Sequence, residues 1–245
     1  MSALGGVGQA LRAASDLVWP ADCAGCGADL AGPICPDCHR ELAGTVRRRE
    51  SGAARLVPAD GGPALPVWSA AWYRGPAREV IVAWKRRGRG ELERELRRVI
   101  GRTAEAVGRT LAQVTDEVAV VPVPSRLVRR LKRPSGGTPA LALAAAEALA
   151  CGRLSVTYAD VLTRAATARE QAGRSTRQRA RGREGVTGVK RAPQAPCLLV
   201  DDVLTTGATL LDAERALARA GARTLGAVVL AASPADSRDV GLEGN

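Results

Sequence analysis

The sequence predicts an α/β protein, a mostly parallel sheet flanked by helices with a small four-cysteine metal module ahead of it. Three observations carry this. Short apolar runs, several of them β-branched, alternate with stretches whose apolar residues recur at helical spacing, the pattern of parallel strands joined by crossover helices. One such run, Cys197 to Val200, ends in Asp201 and Asp202, followed by a Thr/Gly turn and a helix start. Near the front, Cys23, Cys26, Cys35 and Cys38 form two C-x-x-C pairs. At 245 residues, 46% of them apolar, the chain can bury a sizeable core as one α/β domain with an appendage. The expected organisation is an N-terminal helix and metal module over 1–44, a linker over 45–66, and the α/β domain over 67–245.

The first 20 residues lack a basic start and a continuous apolar core, so they do not read as a signal peptide; a short amphipathic helix ended by Pro20 is expected. With no transmembrane run, a cytoplasmic protein is the expectation. The cysteine pairs come next. Four soft ligands in two tight turns suit tetrahedral Zn²⁺, with Gly25 and Gly27 easing the first turn. Two disulfides and dithiol redox chemistry are the competing readings; a cytoplasmic setting weighs against the first, and the doubled C-x-x-C against the second. Four thiolates close the coordination sphere, which makes the metal structural. His39, the only histidine, is expected beside the site and not in it, and the isolated Cys151 and Cys197 are expected as small buried apolar residues.

Residues 45–66 show no periodicity and read as linker. Val67 to Tyr73 reads as a strand, with Trp72 and Tyr73 in the core. Ala77 to Arg86 and Glu91 to Ala112 read as helices, and Val118 to Val123 as the first central strand. Pro122 and Pro124 remove ladder donors, so the chain is expected to turn there. Thr138 to Ala150 is an Ala/Leu-rich helix, and Ser155 to Leu162 a weaker strand. Cys197 to Val200 and Thr224 to Ala231 are strands flanking a helix from Ala208 to Ala220. The Arg/Gly-rich segment 165–187 reads either as a lid or as a surface loop.

The acid pair and the turn after it suit a sugar phosphate. Unpaired N–H groups and the macrodipole at a helix N-terminus favour an anion. Thr205, Thr206 and Thr209 add hydroxyl donors, Ala208 is small, and Gly207 lets the backbone close on a phosphate. Asp201 and Asp202, at the C-terminal edge of an open sheet, can accept hydrogen bonds from ribose hydroxyls. An ordinary capped helix explains one Thr or Asp, but not Asp-Asp followed by Thr-Thr-Gly-Ala-Thr.

This element resembles the phosphoribosyl diphosphate (PRPP) motif of type I phosphoribosyltransferases. Taken with the two cysteine pairs, Tyr73-Arg-Gly, Trp84-Lys85-Arg-Arg-Gly88, Val121-Pro-Val-Pro-Ser125, Leu162-Thr-Arg164, Gln171 and Arg179, the chain over roughly 20–232 resembles the ComF family. That resemblance implies a zinc module joined to a phosphoribosyltransferase domain. It implies PRPP on residues 201, 202 and 205–209, with Val123, Pro124, Ser125, Arg126 and Lys85 on the pyrophosphate side and Mg²⁺ accompanying PRPP. Two segments depart from the family pattern. Arg133 to Pro139 lacks the family's aromatic, Asn and Gln, and Arg177-Gln-Arg179-Ala-Arg lacks the Asn that commonly follows its arginines. Both bear on the acceptor more than on PRPP.

The implied reaction is transfer of ribose 5-phosphate to a nitrogen nucleophile with release of pyrophosphate, and no residue stands out as general base. A non-catalytic PRPP or nucleotide sensor is the second reading. A third follows from the family's link to competence: an accessory protein that binds single-stranded DNA during uptake. The net charge of +11, concentrated at 126–133 and 164–191, admits a nucleic acid as well as a polyphosphate. Against stacking on single strands, phenylalanine is absent and only six Trp and Tyr are present.

Overall fold

In a computed structural model that describes residues 22–30, 32–56, 64–124, 137–164 and 187–234, the apolar runs become strands buried on both faces. The strands are β1 (Arg47–Arg48), β2 (Val67–Ser69), β3 (Ala71–Trp72), β4 (Glu117–Pro122), β5 (Ser155–Tyr158), β6 (Leu162–Arg164), β7 (Thr187–Val189), β8 (Cys197–Leu204) and β9 (Thr224–Ala232). The helices are α1 (Pro36–Leu42), α2 (Gly75–Arg86), α3 (Glu93–Leu111), α4 (Gly137–Ala150) and α5 (Ala208–Arg219). The main sheet runs β1-β2-β9-β8-β4-β5, with β3 also pairing β9. Its pairings are parallel apart from β1–β2. The expected mostly parallel sheet flanked by helices is what the chain forms.

The period of two along the central strands divides the core. Val118, Val120, Leu198, Val200, Val228 and Leu230 pack with Trp84 of α2, Ile100 of α3 and Leu141 of α4. Ala119, Val121, Leu199, Ala227 and Val229 pack on the other side with Leu210, Ala213 and Leu217 of α5. Covering both faces is what makes these strands continuous apolar runs. In α3, Leu96, Val99, Ile100, Thr103, Ala104, Val107 and Leu111 are buried, a stripe at helical spacing, and the Thr103 hydroxyl is satisfied by donating to the Val99 carbonyl at 2.9 Å. The cysteine module is seated on this core through Ala24 and Leu42, and Arg89 ties it down by donating to the Asp22 carboxylate and carbonyl.

Several expectations are corrected. The stretch beginning at 45 is not a bare linker: β1 adds an antiparallel edge strand, a 3₁₀ turn follows at Glu50–Gly52, and Ala53, Leu56 and Leu65 are buried. Periodicity could not show a two-residue strand and a three-residue turn. The run 155–162 divides: β5 ends at Tyr158, and Leu162 begins a separate antiparallel ribbon with β7. Pro122 lies inside β4. Ala119 and Val123 donate towards β8, to the carbonyl of Pro196 just before it and of Val200 within it, so the alternate position 122 faces the other side, beyond the last β5 partner at Tyr158. The missing N–H therefore costs the ladder nothing. Cys197 is buried as expected, but Cys151 is exposed. Tyr73 packs against the core, while Trp72 is half-buried with the Arg49 guanidinium 3.8 Å above its ring. Among the described residues no helix is long and apolar enough to cross a membrane. The expected helix before Pro20 and the segment 165–186 lie outside the described residues.

Candidate functional site

The parallel connections set the acid pair at the point where the crossovers part. From β8 the chain passes through α5 to β9 on one side, and from β4 through α4 to β5 on the other, with α4 and α5 on opposite faces. β8 and β4 are parallel neighbours, but their crossovers lead in opposite directions along the sheet, which makes the gap between them the topological switch point at which open α/β sheets take ligands. The two strand ends are joined there by the Val123 N–H, which donates to the Val200 carbonyl at 2.9 Å.

Asp201 and Asp202 do not follow β8, as the sequence suggested, but lie within it, since the strand runs on to Leu204. Both are buried, at 7% and 6% exposure, which a loop position would not give. The Asp202 carboxylate meets Lys85 Nζ of α2 at 2.5 Å. The Asp202 N–H donates to Asp201 Oδ1 at 2.8 Å. Burial and then the neighbouring Asp202 push Asp201 up to about 8, against the pull of that N–H and of the Lys85 and Arg164 charges. Two carboxylates one residue apart are thus held in place by cations brought from two other elements.

Beyond Leu204, Thr205 and Thr206 are exposed, and Gly207 caps α5 in the left-handed region at φ 78°. The N-cap glycine makes no side-chain cap bond, and the Ala208 N–H donates to Thr206 Oγ1 at 3.4 Å. Thr209 and Ala208 are half-buried in the first turn. The glycine is needed for a reason sequence reasoning did not supply: a Cβ there would stand 2.5 Å from Leu56 Cγ. The space without a side chain is filled by the protein's own leucine, and the Arg55 N–H donates to the Thr206 carbonyl at 3.2 Å. The segment first read as linker therefore shapes the loop.

Lys85, Val123, Pro124, Asp201, Asp202 and Thr205–Thr209 thus come from three elements whose ends meet around one sheet edge. Ser125 and Arg126 lie outside the described residues. Arg164, quoted only for its place in a motif, donates from Nη1 to the Pro124 carbonyl at 3.1 Å. Elsewhere, a cavity of about 430 Å³ opens between the C-terminal ends of α3 and α4, lined in part by Arg109, Leu149, Cys151 and Leu154. It is at the opposite end of the strands and offers neither an acid pair nor a phosphate-type loop.

The four cysteines form a second centre. Their sulfurs all lie within 4.8 Å of one another, and Cys26 Sγ and Cys35 Sγ are 3.8 Å apart. A tetrahedral ion with metal–sulfur bonds of about 2.3 Å requires edges of roughly 3.8 Å. None of these cysteines forms a disulfide. Backbone N–H groups of Gly25 and Cys35 point at Cys23 Sγ, at 3.4 and 3.3 Å. Burial works to raise the Cys23 thiol, but N–H donors of Cys35, Cys26 and Gly25 outweigh it and bring it down to about 6. Cys38 is pushed up by burial and by the surrounding thiols. A set whose first thiolate forms readily and whose last is suppressed by its neighbours fits a cation at the centre, which would relieve that crowding. Gly25 is obligatory here, because a Cβ would come within 2.7 Å of Cys38 Sγ. His39 turns away, its Nε2 3.8 Å from Glu95 Oε2 on α3. The four cysteines are positioned to bind a metal.

Compared with known protein families, residues 135–240 match the model of the phosphoribosyl transferase domain. The match takes in the acid pair, the Thr/Gly loop and α5, and begins after β4, Lys85 and the cysteines. No curated protein matches the chain significantly.

Proposed function

We propose that this protein is a PRPP-dependent phosphoribosyltransferase of the ComF type, carrying structural Zn²⁺ on Cys23, Cys26, Cys35 and Cys38. The observation that carries the reading is the buried acid pair at the β8/β4 switch point, directly before a glycine-capped helix start, within a segment that matches the phosphoribosyl transferase domain.

In this reading Asp201 and Asp202 accept hydrogen bonds from the ribose hydroxyls, and the residues 205–209 cradle the 5-phosphate with hydroxyls and first-turn N–H groups. Val123 and Pro124 face the pyrophosphate, and Ser125 and Arg126, outside the described residues, are assigned to the same side from the resemblance. Lys85, paired with Asp202, stands beside the carboxylates that hold the ribose and can exchange that partner for the leaving pyrophosphate. Mg²⁺ accompanying PRPP would supply charge neutralisation for the leaving pyrophosphate. The protein's contribution is to hold the anomeric carbon in line with a nitrogen acceptor while positive groups face the departing charge. A neutral Asp201 can also donate a hydrogen bond, so the pair offers a ribose both donor and acceptor.

Calorimetric titration with PRPP, with and without Mg²⁺, tests the reading. Micromolar, Mg²⁺-dependent binding is expected, abolished in the double variant Asp201→Asn/Asp202→Asn while far-ultraviolet circular dichroism is retained. Unchanged affinity in that variant would remove the ribose assignment. Release of pyrophosphate with nitrogen acceptors then separates a transferase from a sensor, and a steep salt dependence of single-stranded DNA binding would favour the nucleic-acid reading instead.

A further inference from the structure

The β6–β7 ribbon touches both sides of the site through one cross-strand pair. Arg164 and Thr187 are register partners in the ribbon. From Arg164, Nη1 donates to the carbonyl of Pro124, in the turn that ends β4. From Thr187, which is 7% exposed, the hydroxyl donates to Asp212 Oδ2 of α5 at 2.6 Å. Asp212 stands one helical turn beyond Gly207, next to Leu211, whose N–H donates to the Gly207 carbonyl at 2.9 Å. The ribbon is itself anchored. Leu162 is 3% exposed in the core beneath α5, and the Lys190 N–H donates to the Val161 carbonyl at 2.8 Å.

This two-stranded piece therefore holds the β4 turn with one hand and the helix behind the Thr/Gly loop with the other. We propose that this ribbon is a brace that sets the spacing between the two ligand-facing turns, with Arg164 the positioning residue for the β4 turn and Thr187 the positioning residue for α5. This rests on the transferase reading only for the identity of the ligands. The Pro124 carbonyl needs a donor because the turn it belongs to has left the ladder, and a guanidinium supplies a charge-assisted one. The Thr187–Asp212 bond is the equivalent strut on the loop side.

Two probes read the two sides separately: inorganic pyrophosphate for the β4 turn, and ribose 5-phosphate for the loop. Both are titrated calorimetrically into the metal-loaded full chain. Arg164→Gln is expected to weaken pyrophosphate about tenfold, the scale of one charge-assisted hydrogen bond. It should weaken ribose 5-phosphate by a smaller factor, through the Arg164 charge on Asp201 alone, and Arg164→Lys, which keeps that charge, should recover most of the loss. Thr187→Val is expected to do the reverse. Equal loss of both ligands in Arg164→Gln, or loss of neither, overturns the brace. Hydrogen exchange at the Val123 amide reads the same strut without any ligand. Faster exchange in Arg164→Gln supports it, and an unchanged rate overturns it. If the unaltered protein binds neither probe, the transferase reading falls, and exchange still decides the brace.

Discussion

The cysteine cluster and the acid pair solve one problem in two ways. Each crowds groups that repel when charged, four thiols in one place and two carboxylates in the other. The thiols sit on 16 consecutive residues, Cys23 to Cys38, and their arrangement leaves a central position for a cation from outside the chain. The acid pair is settled from within: Lys85 of α2 pairs with Asp202, and Asp201 keeps a proton against the pull of Lys85 and of the Arg164 charge from the ribbon. A local cluster can be completed by an ion, whereas a site assembled from distant elements can carry its own counter-charges. Those charges then become available to a ligand.

That contrast can be broken at either end. The largest effect is expected at the cluster, because Ala24 and Leu42 link it to the main core. Losing a ligand by Cys38→Ser should cost at least about 4 kcal/mol, the range reached by loss of a structural metal. For a domain of this size that is a fall of roughly 8–16 °C in the unfolding midpoint. Differential scanning calorimetry with and without a chelator checks it; a midpoint indifferent to both would mean the cluster holds no structural metal. Next comes Lys85→Met, which strands the Asp202 carboxylate in a buried setting. A cost of about 3 kcal/mol is expected in denaturant titration, the penalty for removing one partner of a buried pair. Asp202→Asn added to Lys85→Met should restore most of it, and strict additivity of the two would show that the pair does not couple.

The smallest effect is a gain. Burial and Asp202 raise Asp201 in the folded protein, so the native state keeps a proton that the unfolded chain has already released. Its contribution to stability is therefore lost as pH rises from the ordinary carboxylate range towards about 8. Asp201→Asn, which cannot ionise, should melt slightly higher than the parent in the absence of ligand, with the gap widening across that window. A gap that narrows with rising pH would mean that Asp201 is held charged instead. Stabilisation by removing a group that the ligand needs is the trade-off expected of a binding site.

The same contrast explains what was legible in the sequence. The cysteine cluster was legible because two C-x-x-C turns set most of the distances by themselves. The loop 205–209 and α5 were legible for the same reason, since strand, acids, turn and helix follow one another without a gap. The burial of Asp201 and Asp202 was not, because it depends on β8 running on beside β9 as far as Ala232. Lys85 was placed near the site by resemblance, but its pairing with Asp202 needs the C-terminal end of α2 to come beside the acid pair in three dimensions. The ribbon escaped because two strands of three residues, Leu162–Arg164 and Thr187–Val189, are too short to show alternation. Leu56 escaped because an aperiodic stretch gives no sign of which of its residues will be buried.

The contact between Leu56 and Gly207 carries an evolutionary consequence. The two positions are 151 apart in the chain, yet they share one volume, so neither can drift alone. A descendant that gains a side chain at 207 must first shrink residue 56, and must still accept a left-handed backbone there. Selection on the loop is thereby exported to a stretch of sequence that carries no motif, and substitutions at 56 should track those at 207 wherever the loop is retained.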